Sequence, residues 1–254
     1  ESVHWLARKQ PAGALERINR TLRRMGHTTA AALPAIAHDV RRRSMSDIFR
    51  PGLIAITVVV TAAYFFHIIT FYFIVKWVPK LVVNMHFPVT SAAGVLVWTN
   101  VGGATGGAIF GLLSMRISLK PLTIAAMLLS TVMVILFGRS PANLTHLSLI
   151  CGAAGFFTNA AIVGMYAIFA QAFPTHVRAS GTGFAIGIGR GGAVLAPIIA
   201  GFLLDSHFAV PTVATFMACG SLVAAFVLAG LKLGKGVVES ADEAVAPVPS
   251  AAPM

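Results

Sequence analysis

Between Asp47 and Asp205 the chain carries no aspartate or glutamate. A soluble domain keeps about a quarter of its residues charged to cover its surface. A run of more than 150 residues without a carboxylate cannot build such a surface. The rest of the composition agrees: 57% of residues are hydrophobic, 11% are charged, and mean hydropathy is +0.82. The formal net charge of +11 would suit a nucleic-acid partner, but ten of the nineteen Lys and Arg lie between Arg8 and Arg50. The basic charge is therefore a leader attached to an apolar body, and it excludes both a soluble enzyme and a nucleic-acid-binding domain.

A bilayer core of roughly 30 Å is crossed by about 20 mostly apolar residues in a helix. Six stretches meet that length: Gly52–Val75, Ser91–Met115, Leu122–Gly138, Leu147–Phe173, Ala179–Leu204 and Val210–Leu231. Breaks between them fall at Lys76 to Lys80 around Pro79, Arg116 to Pro121, Arg139 to Pro141, Pro174 to Arg178, and Asp205 to His207. The expected fold is an all-α bundle of six transmembrane helices over residues 51–232. A basic loop with an amphipathic helix precedes it over residues 1–50, and a tail rich in Ala, Pro, Val and Ser, expected to be disordered, follows over residues 233–254. Six crossings put the leader, Arg116 with Lys120, Arg178, and Lys232 with Lys235 on one side, fifteen basic residues in all, against Lys76, Lys80 and Arg139 on the other. The positive-inside rule then makes both termini cytoplasmic.

In the leader, Leu15, Ile18, Leu22 and Met25 recur at helical spacing, with Arg17, Arg20 and Arg24 on other faces and Gly26 as the stop. Two readings fit this pattern: a helix resting on anionic headgroups, or a solvated loop helix. Cys151 and Cys219 lie in apolar stretches and read as small buried hydrophobes without metal or disulfide spacing. No cofactor or metal site is expected.

A faint internal repeat is present. A shift of ninety positions lays the second span on the fifth, pairing Gly102 with Gly192, Gly111 with Gly201, and Asn100 with Arg190. Each is the middle helix of three, and the two run in opposite directions, which is the pattern of a 3+3 inverted repeat.

The segment Phe173 to Pro197, FPTHVRASGTGFAIGIGRGGAVLAP, resembles the tenth-to-eleventh helix region of major facilitator transporters, and most of all the aromatic acid:proton symporters of bacterial inner membranes. The opening run Glu1 to Leu6 resembles the end of the Pro-Glu-Ser-x-x-Trp-Leu motif that closes the sixth helix of that superfamily. The resemblance implies that the six spans are helices seven to twelve and the leader the central cytoplasmic loop, with an N-terminal six-helix half as the missing partner. It also implies alternating-access symport of a small aromatic carboxylate with a proton across a bacterial inner membrane. Gly111, Leu113, Arg116 and Lys120 match the family's loop motif Gly-x-Leu-x-Asp-Arg-x-Gly-Arg-Lys, while Met115, Ser118 and Leu119 depart from it. A gating network built on that loop is therefore expected to be weakened.

Arg190 is the one charged residue well inside an expected span. A guanidinium in hydrocarbon costs from about 3 to over 10 kcal/mol, so it should face a water-filled cavity or an anion. Its fork suits a carboxylate, and the alternative is an ion pair with a carboxylate on another helix. Arg178 begins the same helix and suits either anion steering and gating or plain anchoring. Tyr64, His67 and Phe71 share one helical face, where aromatic rings suit stacking of a benzoate-like ring and an imidazole suits proton relay. A neutral histidine bonded to a hydroxyl fits equally. Asn100 with Trp98, and Asn159 with Tyr166, are further polar–aromatic candidates for binding or for interhelical contact.

Gly187, Gly189 and Gly192 spell G-x-G-x-x-G, but no strand precedes them and no acidic residue stands about 20 positions on, so a dinucleotide site is rejected. Gly183, Gly187 and Gly191, and Gly103, Gly107 and Gly111, recur every fourth residue and suit close helix packing. Three functions compete: a transporter of an aromatic acid or another organic anion, an intramembrane protease, and a truncated or dimerising half-transporter. The protease reading is weak, because Ser180 lies at a span boundary and the last span has no histidine.

Overall fold

The structure is a computed structural model that describes residues 10–33, 45–174 and 177–231, together with Val3, Leu6 and Ala7. The expected tail at 233–254 and the basic residues Arg8, Lys9, Arg41, Arg42, Arg43, Lys232 and Lys235 lie outside the described residues. The chain forms two compact units, residues 1–43 and 44–254.

In the first unit, helix α1 spans Ala14–Arg24. Ala14 and Ile18 are buried with Leu6, and Val3, Ala7, Leu22 and Leu33 pack around them. Met25, expected on the same stripe, is instead 63% exposed. The reason is the helix stop: Gly26 takes φ +74, and the amide of His27 returns to the carbonyl of Leu22 at 2.9 Å, which turns the chain at Met25. Asn19 then closes the following loop, donating to the Ala30 carbonyl at 2.9 Å and accepting the Ala30 amide at 2.8 Å.

The second unit is all-helical among the described residues, with six helices long and apolar enough to span a bilayer. A 3-10 turn at Met45–Phe49 leads into α2 (Ile54–Asn84), followed by α3 (Val89–Leu113), α4 (Leu119–Gly138) and α5 (Leu144–Ala172). The fifth crossing is split into α6 (Arg178–Gly189) and α7 (Gly191–Asp205), and α8 is Val210–Ala229. The expected break at Lys76 to Lys80 is overturned, because α2 runs unbroken through Pro79. Proline removes one backbone donor, but Trp77, Val78, Leu81 and Val82 are all buried in the core on either side of it. That burial outweighs the lost bond.

The split of the fifth crossing has a local cause. The helix tightens where the Ala193 amide donates to the Arg190 carbonyl at 2.9 Å, whereas Pro197, which offers no amide to the Ala193 carbonyl, lies inside α7 and does not interrupt it. Glycines at 189, 191 and 192 resist the change least.

Packing follows the repeat. The middle helix of the first triple, α3, packs on α5, the first helix of the second triple, and the middle crossing of the second triple, α6 with α7, packs on α2. The pair α2–α8 has its counterpart in α5–α4, and α4 packs on α8 across the pseudo-axis. Close approach is set by glycine. A methyl group at Gly102 would overlap the carbonyl of Gly152, at Gly106 that of Phe156, and at Gly155 that of Thr99, so α3 and α5 meet backbone to backbone. At the other interface Gly192 lies against the Phe65 carbonyl and Gly189 against the Tyr64 ring. The expected glycine stripe is thus corrected: nothing lies within 4 Å of the missing side chains of Gly111, Gly183 and Gly187. Cys151 is buried, but Cys219 is exposed on the outer side of α8, against its expected burial.

Candidate functional site

The two middle crossings, α3 and α6–α7, are the least enclosed of the six. Between them stand α2 and α5, and the candidate substrate-binding residues lie on these four crossings.

Arg190 sits at the one-residue break between α6 and α7, near the middle of a 28-residue crossing, with its side chain exposed. Its guanidinium reaches the phenols of Tyr166 and Tyr64. The two phenolic oxygens are themselves 3.1 Å apart, joining α5 to α2. Tyr64 is 1% exposed, wedged between Gly189 and the edge of Phe169, whereas Tyr166 is 39% exposed and faces out beside Arg190. The arrangement is a cation backed by two hydroxyls at mid-membrane depth. Among the described residues no carboxylate pairs with it.

The face expected to hold Tyr64, His67 and Phe71 together is divided by the structure. His67 is fully buried and turns away from the open side. Its Nε2 lies 2.9 Å from the carbonyl of Thr158, which can only accept, so Nε2 carries the proton and donates. Nδ1 then accepts from the Ser221 hydroxyl at 2.8 Å, and Ser130 stands 3.3 Å from that same hydroxyl. Thr70, one turn further along α2, bridges a turn of α8: its hydroxyl donates to the Met217 carbonyl at 2.7 Å and accepts the Ser221 amide at 2.8 Å. These buried groups tie α2, α4, α5 and α8 together. Ser130, Ser221 and Thr70 went unnoticed in the sequence, because isolated hydroxyls in apolar spans carry no spacing signal.

Phe71 lines a cavity of about 240 Å³ with Thr99, Asn100, Gly103, Thr158 and Asn159. Asn159 donates Nδ2 to the Gly103 carbonyl at 2.7 Å, and Asn100 donates to its own helix at Leu96 at 2.8 Å. Trp98 does not join Asn100. It lines a separate apolar groove with Phe156 and Phe157 on the other side of α3, since residues two apart on a helix point in opposed directions.

The expected gating residues scatter. Lys120 donates to the carbonyls of Ala229 and Leu231 at 2.7 and 2.6 Å and so caps the C-terminal end of α8. Arg178 donates Nε to the Phe173 carbonyl at 3.2 Å. Arg116 is exposed in the turn after α3, and Gly111 faces open space.

A family model described as Major Facilitator Superfamily matches residues 60–250. Among curated proteins, the chain is 29% identical over 178 residues to the 3-(3-hydroxy-phenyl)propionate transporter of Escherichia coli K12, covering 70% of this chain and 44% of that protein. It is 30% identical over 141 residues to the benzoate transport protein of Acinetobacter baylyi, covering 56% of this chain and 30% of that one. With the gallate transporter of Pseudomonas putida it shares 26% identity over 235 residues, covering 90% and 51% respectively. The chain thus spans about half or less of the length of these relatives.

Proposed function

The chain belongs to the major facilitator superfamily, and from that premise we propose that it is the C-terminal six-helix half of a secondary transporter that moves small aromatic carboxylates with protons. Membership of a family of transporters removes the intramembrane protease from consideration. The observation that carries the substrate reading is Arg190, an exposed guanidinium at mid-span backed by the phenols of Tyr64 and Tyr166. An uncompensated cation at that depth is stable only beside water or an anion, and a carboxylate matches its fork. Three relatives named for aromatic acids support the choice of anion.

In this reading the substrate binds at midplane between two six-helix halves, with its carboxylate on Arg190 and its ring on the side of Phe71. Rocking of the halves exposes the site to each side in turn. The described spans hold no carboxylate before Asp205, so the proton-carrying acid belongs to the preceding half. The excess of Lys and Arg on one side supports cytoplasmic termini in a bacterial inner membrane. Arg178, at the start of the same crossing, attracts anions toward the site.

The test is uptake of radiolabelled benzoate-type acids by the full-length protein. Arg190→Ala should reduce uptake at least tenfold, and Arg190→Lys, which keeps the charge but not the fork, should recover only part of it. Uptake unchanged in Arg190→Ala would remove the anchor.

A further inference from the structure

The cavity of about 240 Å³ on α2, α3 and α5 is separate from the Arg190 cluster and differs from it in chemistry. Its polar groups are amides and hydroxyls, with no charged residue among those that line it. Each amide has one N–H bonded to a backbone carbonyl, Asn159 to Gly103 and Asn100 to Leu96. Those bonds fix which end of each amide is nitrogen, because a carbonyl cannot donate. The Oδ1 atoms of Asn100 and Asn159 are left as acceptors, with no donor reaching them among the described residues. Each amide thus offers a free acceptor oxygen beside a second N–H, a combination that a hydroxyl, which both donates and accepts, satisfies better than a carboxylate, which only accepts.

The placement is set by helix register. Tyr166 and Asn159 are seven residues apart on α5, and Tyr64 and Phe71 seven apart on α2, so each pair shares a face about two turns, or roughly 10 Å, apart. Both helices therefore carry a phenol at the Arg190 level and a cavity residue at the next. His67 fixes the second level from behind, holding the Thr158 carbonyl immediately before Asn159.

We infer that Asn100 and Asn159 form a hydroxyl subsite that selects aromatic acids bearing a ring hydroxyl at the end away from the carboxylate. This rests on the reading of Arg190 as the carboxylate anchor. A para or meta hydroxyl donates to the amide oxygens while the carboxylate stays on Arg190; an ortho hydroxyl remains at the Arg190 end and gains nothing.

The experiment is competition by benzoate, 2-hydroxybenzoate and 4-hydroxybenzoate against uptake of radiolabelled 4-hydroxybenzoate in cells making the full-length protein. The wild type should prefer the para-hydroxylated acid over the other two by about five- to tenfold, the effect of one or two hydrogen bonds. Asn100→Leu should abolish that preference while leaving inhibition by benzoate within about twofold, as Asn100 is exposed and bonded only to its own helix. Asn159→Leu should act in the same direction, with protein abundance measured because it also removes the bond to Gly103. An undiminished para preference in Asn100→Leu would overturn the subsite. So would a wild type that carries all three acids alike and still loses uptake with Arg190→Ala, which leaves the anchor standing. Failure of all three acids to bind or be carried would overturn both readings.

Discussion

The phenolic oxygens of Tyr64 and Tyr166, 102 positions apart in the chain, lie 3.1 Å apart, and both are within reach of the Arg190 guanidinium. One phenol is buried and the other half-open, so the pair links a packed interior to an exposed cation. Tyr64 is held by Gly189, whose missing side chain leaves room for the ring immediately before Arg190. The break in the fifth crossing, the glycine and the tyrosine together fix where the charge stands.

Because the two hydroxyls share one hydrogen bond and one cation, their removal should not be additive. Tyr64→Phe and Tyr166→Phe each keep the ring and its packing, and each should raise the apparent KM for an aromatic acid about threefold to tenfold. The double variant should be only slightly worse than either single one, a coupling of about 1 kcal/mol in a double-mutant cycle. Additive losses would mean that the tyrosines contact the substrate independently of each other.

His67 links α2 to α5 and α8, with both ring nitrogens bonded and no exposure. His67→Leu keeps much of its volume but removes both bonds. We expect a loss of about 1–2 kcal/mol, in the range of interhelical hydrogen bonds in membranes, seen as lower thermal stability of the purified protein in detergent. Ser221→Ala should act in the same direction, since it removes the donor to Nδ1. Uptake driven by an imposed pH gradient should persist in the folded fraction of His67→Leu. Loss of that dependence with folding intact would make His67 a proton carrier.

Much of this fold is legible in the sequence because the bilayer imposes it. Span number and approximate ends follow from hydropathy, and Arg190 is conspicuous because charge at that depth is rare. Facing is a different matter. The apolar spans contact both lipid and neighbouring helices, so hydrophobic periodicity does not say that Trp98 and Asn100 diverge or that His67 points inward. Nor does a spacing of four reveal which glycine register is used. Gly102 and Gly106 meet the backbone of α5, while the next register, Gly103 and Gly107, meets the side chains of Asn159 and Val163. Pro79 was misleading because the packing that keeps α2 intact comes from residues distant in sequence.

The glycines therefore divide into two groups that a pair of measurements can separate. At Gly155 an added methyl would run into the Thr99 carbonyl, and at Gly106 into that of Phe156. Neither neighbour is a flexible side chain, so relief requires α3 and α5 to move apart along their whole contact. Overpacking of that kind costs about 1–3 kcal/mol, and Gly155→Ala and Gly106→Ala should each lower thermal stability measurably. Gly183 and Gly187 have open space where a methyl would go, on the exposed side of α6. Alanine there relieves the entropic cost of glycine in a helix, about 0.5–1 kcal/mol, so stability should hold or rise slightly. If that open side closes against a partner helix during transport, Gly187→Ala and the bulkier Gly187→Leu should slow uptake progressively while the melting temperature stays put. Equal loss of stability in both groups would show that α6 is packed as tightly as α3, and unchanged uptake in Gly187→Leu would show that no partner helix closes on that face.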